Sequence, residues 1–343
     1  MRNKSTLSFL WFGVLVLGAM CFAAPRAAQT NPFLGAWNIS GVGPDNARVY
    51  WLELKEEAGT ITGLFLNQTG HPLPLAVVRI DGDTLMFQGG TPDKPSGPEY
   101  RAKLEDGRLI GSHVVATRGG GPGAAAQNPP TPRTINWIGM RPPAWPAANA
   151  NGRHTYGAPV AIFDASTRSR PLDAAFGIQY MNRPMNWEVD GDLLTNTVPG
   201  GNNLVTRERF KDFKVTLEYK LAAKSNSGLY LRGRYELQIL DDLADTNTEK
   251  FLTQAAIYGR RAPDVKASKA PAEWQTLEAV MVANRVTVTL NGTIVHNNQP
   301  VVGVTGGALD NDETSPGPIM IQGDHEKVWI RRLVVTPIVT PGK

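Results

Sequence analysis

Apolar and polar residues alternate with a period of two along most of this chain, and helical periodicity is scarce. Between Asn31 and Met140 the alternation predicts strands at Arg48–Leu54, Thr60–Leu66, Leu75–Ile80, Thr84–Gln88, Glu99–Leu104, Leu109–Val115 and Thr134–Met140. Turn formers such as Asp81-Gly82-Asp83 and Glu105-Asp106-Gly107 separate them. The pattern describes an antiparallel meander, closed or nearly closed into a small barrel. A second series follows between Val160 and Pro337, at Phe213–Leu221, Leu229–Arg232, Tyr235–Leu240, Trp274–Val282, Arg285–Leu290, Gly317–Gln322 and Val328–Thr336. With no βαβ alternation a parallel sheet is disfavoured, and the series predicts a two-sheet jelly-roll sandwich. The expected fold class is all-β, with a barrel over residues 31–140, a Pro/Gly-rich linker over 141–159 and a sandwich over 160–337. The Gly119 to Pro132 insertion, rich in Gly, Ala and Pro, reads as flexible and free of chemistry.

One stretch, Asn226 to Asp242, departs from ordinary strand chemistry. Leu229, Leu231, Tyr235, Leu237 and Ile239 form an apolar row, and Tyr230, Arg232, Arg234, Glu236 and Gln238 form a hydrogen-bonding row. Guanidinium, carboxylate, amide and phenol groups together suit recognition of hydroxyls and carbonyls. This face is expected to be the floor for a polar ligand.

The N-terminus reads as a secretory signal. Arg2 and Lys4 precede an apolar run from Leu7 to Ala24, and small residues follow at Ala27 and Ala28. Removal of residues 1–28 leaves no stable membrane span and gives a periplasmic or secreted protein; a single membrane-anchoring helix is the competing reading. The only cysteine, Cys21, lies inside that segment, so the mature chain has no disulfide and no cysteine nucleophile. Without Arg2, Lys4 and Arg26 the 35 basic residues fall to 32, against 31 acidic. That balance, with no interleaved basic–aromatic patch, argues against a nucleic-acid partner.

Several spaced motifs resemble a known family. They are Trp187-Glu-Val-Asp-Gly191, Leu204-Val-Thr206, Asp212-Phe213, Asn226-Ser-Gly-Leu-Tyr-Leu-Arg232, Tyr235-Glu-Leu-Gln-Ile-Leu-Asp241, Ala256-Ile-Tyr-Gly259, Glu273-Trp274, Asn291-Gly292 and Gly317 to His325. In this order they resemble the 3-keto-disaccharide hydrolase family, also described as 3-keto-glucoside 1,2-lyase/3-keto-2-hydroxyglucal hydratase. The opening Ile162-Phe163-Asp164 is a looser match, and the barrel is not covered. The resemblance implies a concanavalin-like jelly roll, export, and a small-molecule 3-keto-glycoside or oligosaccharide on the concave sheet.

Glu236 is the first candidate for catalysis, as general base or metal ligand; a surface ion pair with Arg232 or Arg234 is the structural alternative. His325, in Gln322-Gly-Asp-His325, is the second, as base, acid or metal ligand. Arg232, Arg234, Gln238, Tyr230, Tyr258 and Asn226 are candidate substrate contacts, with Tyr258 a stacking platform. Glu236, Asp324 and His325 are candidate ligands for one divalent metal ion. Glu236 and Asp241 do not suit a two-carboxylate glycosidase, because five strand residues span roughly 16 Å. His296 is expected to be exposed and Trp274 to be core. Three classes fit these features: an enzyme that cleaves 3-keto-glycosides by elimination and hydration or net hydrolysis, a non-catalytic lectin-like module using the same face, and a cell-surface interaction protein in which the barrel holds a partner.

Overall fold

Eight antiparallel strands close the N-terminal half into a barrel in the computed structural model, which describes residues 31–117, 131–197, 200–245, 248–323 and 325–342. The expected signal segment and most of the Gly/Ala/Pro insertion lie outside the described residues. The strands are β1 (Gly35–Gly41), β2 (Val49–Glu57), β3 (Thr60–Leu66), β4 (Leu73–Asp81), β5 (Thr84–Thr91), β6 (Lys94–Glu105), β7 (Arg108–Thr117) and β8 (Thr131–Met140). They pair in sequence order, and β8 returns to β1. Seven match the alternation read from the sequence; β1 does not. Its Trp37 and Ile39 enter the barrel core, but the intervening Asn38 is buried too, because Glu313 of the sandwich covers it. Burial on both faces erases the alternation that marks a half-exposed strand.

The barrel interior is aromatic. Phe65, Phe87, Tyr100 and Trp137 pack with Leu52, Leu85 and Leu109. His113 lies against Tyr100 at 4.3 Å between ring centroids, and burial lowers its pKa to about 4.

The second half forms two sheets. Its strands are β9 (Thr155–Tyr156), β10 (Val160–Phe163), β11 (Phe176–Ile178), β12 (Trp187–Asp190), β13 (Leu193–Asn196), β14 (Leu204–Phe210), β15 (Phe213–Leu221), β16 (Asn226–Leu231), β17 (Tyr235–Leu240), β18 (Gln275–Val282), β19 (Arg285–Leu290), β20 (Thr293–Pro300), β21 (Gly317–Ile321) and β22 (Val328–Thr340). One sheet runs β12-β13-β22-β15-β18-β19-β20, with β9 and β10 also on β22; the other runs β11-β14-β21-β16-β17. The two sheets enclose one core that includes Leu217, Leu229, Leu237, Leu277, Ile319 and Leu333. This is the expected jelly-roll sandwich. The strands absent from the sequence reading are mostly three or four residues long, too short to show a period.

The barrel and sandwich share a third apolar cluster, in which Val49, Trp51 and Leu66 of the barrel meet Val304 and Ala308. Beside it, buried Glu313 accepts from Asn38 Nδ2 at 2.6 Å and from the Tyr235 hydroxyl at 2.6 Å. Between the two halves, Arg141 stacks on Trp37 at 3.5 Å and donates to the carbonyls of Leu34 and Ala36. Among the described residues no helix is long and apolar enough to cross a membrane.

Candidate functional site

The β16–β17 hairpin carries the site. Its register pairs Tyr230 with Glu236 and Gly228 with Gln238, so those side chains share the face turned away from the core. The expected apolar row, Leu229, Leu231, Tyr235, Leu237 and Ile239, lies in the core on the other face. The expected polar row, however, is not continuous. The chain reverses at Leu231–Arg234, where Arg234 N donates to Leu231 O at 3.1 Å and Arg232 and Gly233 take φ of 54° and 66°. Paired left-handed residues are what a tight hairpin of this twist requires.

Arg232 and Arg234 therefore sit at the turn and not beside Glu236. Arg232 is 1% exposed; its Nε donates to Lys211 O at 2.6 Å and its Nη2 to Asp212 at 3.1 Å. Arg234 is fully buried; its Nε donates to Asp310 at 2.5 Å and its Nη1 to Ser315 O at 2.9 Å. The geometry corrects the sequence reading here: both guanidiniums anchor the turn to neighbouring loops. The alternative ion pair with Glu236 does not form either; the partners are Asp212 and Asp310.

Glu236 is 3% exposed and sits among phenols. Its Oε2 lies 2.9 Å from the Tyr230 hydroxyl, which also lies 2.9 Å from the Gly306 carbonyl oxygen. The Glu236 amide donates to Thr305 Oγ1 at 2.8 Å, and the Tyr258 amide donates to Glu236 O at 3.0 Å. A bridge between Leu237 and Ile257 places half-buried Tyr258 on the Glu236 side. Burial first, and the Glu236 charge second, raise the Tyr258 pKa, so its phenol keeps its proton at neutral pH. Gly228 makes room for the carboxylate: a Cβ there would stand 2.2 Å from Glu236 Oε1.

Beside the carboxylate lies a group of amides. Gln322 N donates to Gly228 O at 2.9 Å, which sets Gln322 and Gln238 on either side of Gly228, with Asn226 two residues along β16. Asn226 Oδ1, Gln238 Oε1 and Gln322 Oε1 are all buried without a protein partner. An unpartnered buried polar atom costs about 1–3 kcal/mol, and three on one face mark a place where a ligand or water completes them. Gln322 was not among the expected contacts, although alternation from Met320 puts it on this face. Thr305 and Gly306 were also missed: they belong to an irregular loop that is distant in sequence and carries no periodic signal.

Gln322 is level with Gly228, already about 7 Å along the strand from the Tyr230–Glu236 pair, and His325 follows three residues later. Asp324 lies outside the described residues. Among the described residues no group of three or more His, Cys, Asp or Glu side chains is placed to hold a metal ion. Two further expectations are corrected. His296 is fully buried, its Nε2 2.9 Å from Ala255 O, and burial lowers its pKa. Trp274 is half-buried, not core, with the Arg331 guanidinium 4.4 Å above its ring.

Residues 170–336 match the family model described as a 3-keto-alpha-glucoside-1,2-lyase-like domain. No curated protein matches the chain. A Parabacteroides distasonis ATCC 8503 structure, provisionally named a glycosyl hydrolase, is 21% identical with a TM-score of 0.45, covering 58% of this chain and 92% of its own. The carbohydrate-binding module CBM66 from Bacillus subtilis is 12% identical with a TM-score of 0.29, covering 49% and 96%. A Z. galactanivorans LamA variant in complex with laminaritriose and laminaritetraose is 12% identical with a TM-score of 0.33, covering 53% and 98%. Over residues 170–336 this chain is therefore similar to the 3-keto-alpha-glucoside-1,2-lyase-like domain.

Proposed function

We propose that this protein is an exported enzyme that cleaves 3-keto-glycosides on the outer face of the β16–β17 sheet. The observation that carries the reading is a nearly buried carboxylate, Glu236, between two phenols and beside three amide oxygens that lack partners. The amides suit sugar hydroxyls, which donate to such oxygens. The carboxylate suits proton transfer.

A C3 carbonyl makes the C2 hydrogen acidic. Glu236 takes that proton, the C2–H electrons form an enolate on the C3 oxygen, and their return expels the C1 substituent. The leaving oxygen gains one proton. Water then adds hydroxide at C1 and a proton at C2, so the sum is hydrolysis. The enolate oxygen needs a hydrogen-bond donor that stays protonated, and Tyr258 has that character. Arg232, held at the turn, does not serve this role.

Glu236→Gln keeps the shape of the site and removes the base. Turnover of a 3-keto-disaccharide should fall at least 100-fold while calorimetric binding persists. Binding without turnover in the unaltered protein would instead favour the lectin-like reading.

A further inference from the structure

The barrel has its own cavity, at the end that meets the sandwich. It measures about 140 Å³ and is lined by Phe65, Asn67, Thr69, His71, Ser96 and Tyr100, with glycine backbone between them. Mouths of eight-stranded barrels are places where one small ligand fits. Two features hold this mouth open. On one side the β5–β6 register shifts between Phe87 and Gly89, and Gly90 takes φ of 106°, where a Cβ would stand 2.5 Å from Lys94 O. Bulges of this kind flare barrel rims. On the other side the 67–72 loop is clamped by the sandwich: Gly307 N donates to Gln68 O at 2.9 Å. His71 fills space left by Gly259, whose own Cβ would lie 2.4 Å from that of His71.

The lining has a definite chemistry. Phe65 and Tyr100, 4.7 Å apart, make an apolar wall. Asn67 Oδ1 accepts from the Tyr100 hydroxyl at 3.1 Å, which leaves its amide nitrogen as a donor. Thr69 and Ser96 add hydroxyls, and the lining contains no Asp, Glu, Lys or Arg. Aromatic edges with neutral donors and acceptors select a neutral, polyhydroxylated ring over an ion. His71 belongs to two walls at once. Its ring lies 5.6 Å from Phe251 and 6.5 Å from Tyr258, the phenol beside Glu236.

We propose that the barrel mouth is a neutral-sugar subsite, holding the leaving-group ring of the glycoside while the reacting ring lies on the sheet. The placement of the two rings rests on the function proposed above; the sugar subsite itself does not. Ser96 on β6 and Thr69 between β3 and β4 are both exposed and line the cavity, so Ser96→Trp and Thr69→Trp each plug it from a different segment of the barrel. In the full-length protein, either change should lower the ratio of kcat/KM for a 3-keto-disaccharide to that for methyl 3-keto-glucoside at least tenfold, through KM. Calorimetric titration of the Glu236→Gln protein with glucose should show one site that is lost when Ser96→Trp or Thr69→Trp is added, whatever binding the sheet face retains. An unchanged ratio, or glucose stoichiometry and affinity unaltered by both plugs, overturns the subsite. If neither keto-glycoside turns over, the reaction assignment fails and the glucose titration alone decides the subsite.

Discussion

Glu236 and His113 show how one physical effect, burial, serves different ends. Around Glu236, burial keeps the Tyr258 phenol protonated, so in the proposed reaction the carboxylate would act beside a donor that does not compete for its role as base. Tyr258→Phe should therefore lower kcat on a 3-keto-disaccharide about 10- to 100-fold with little change in KM, since a transition-state hydrogen bond is lost. His113 has no part in that chemistry. Its pKa falls from 6.5 to about 4 when burial strips its solvation, so between those values the unfolded chain binds more protons than the folded one. Stability is complete above about pH 6.5 and declines as pH falls toward 4, by about 3 kcal/mol from this residue. Thermal melts of unaltered protein and His113→Gln over that window should show a shallower acid slope in the variant. Equal slopes would remove His113 from the account. Of these residues, alternation and motif singled out Glu236 in the sequence as a base or metal ligand, and Tyr258 as a stacking platform, not as a hydrogen-bond donor. The company Glu236 keeps was not legible there: Thr305 accepts from its amide, and Gly306 from its phenol neighbour Tyr230, out of a loop about 70 positions away in the chain.

The hairpin is the element on which the site depends. Strand alternation identified its two faces, because one face meets the core and the other does not. It failed at the turn, where Arg232 and Arg234 continue the polar pattern in sequence while the backbone reverses in space. A period-two reading has no term for a left-handed arginine. Arg232→Ala should accordingly destabilise the fold by about 3–5 kcal/mol, leaving Asp212 without its buried cation, while the folded fraction retains its kcat; chemical denaturation with parallel kinetics reports both. Gly228→Ala should do the opposite. The added methyl displaces the Glu236 carboxylate, so activity should fall at least tenfold while circular dichroism stays unchanged. Full activity in that variant would mean that the carboxylate position does not matter.

Taken whole, the molecule is a barrel fused to a sandwich through a dry cluster and a buried carboxylate. The two classes of β architecture were readable from strand spacing; their union was not, since Val49, Trp51 and Asn38 occupy outward positions that only the partner surface buries. Val304→Asp, which places a charge in that cluster, should split a single thermal transition into two in calorimetry. The reaction can be read directly from isotope. When a 3-keto-disaccharide is cleaved in heavy water, proton removal at C2 and rehydration should leave one solvent deuterium at C2 of the released 3-keto-sugar, above the level without enzyme. The Glu236→Gln protein should form no such product. Released sugar carrying only its original C2 hydrogen would contradict elimination and the role given to Glu236.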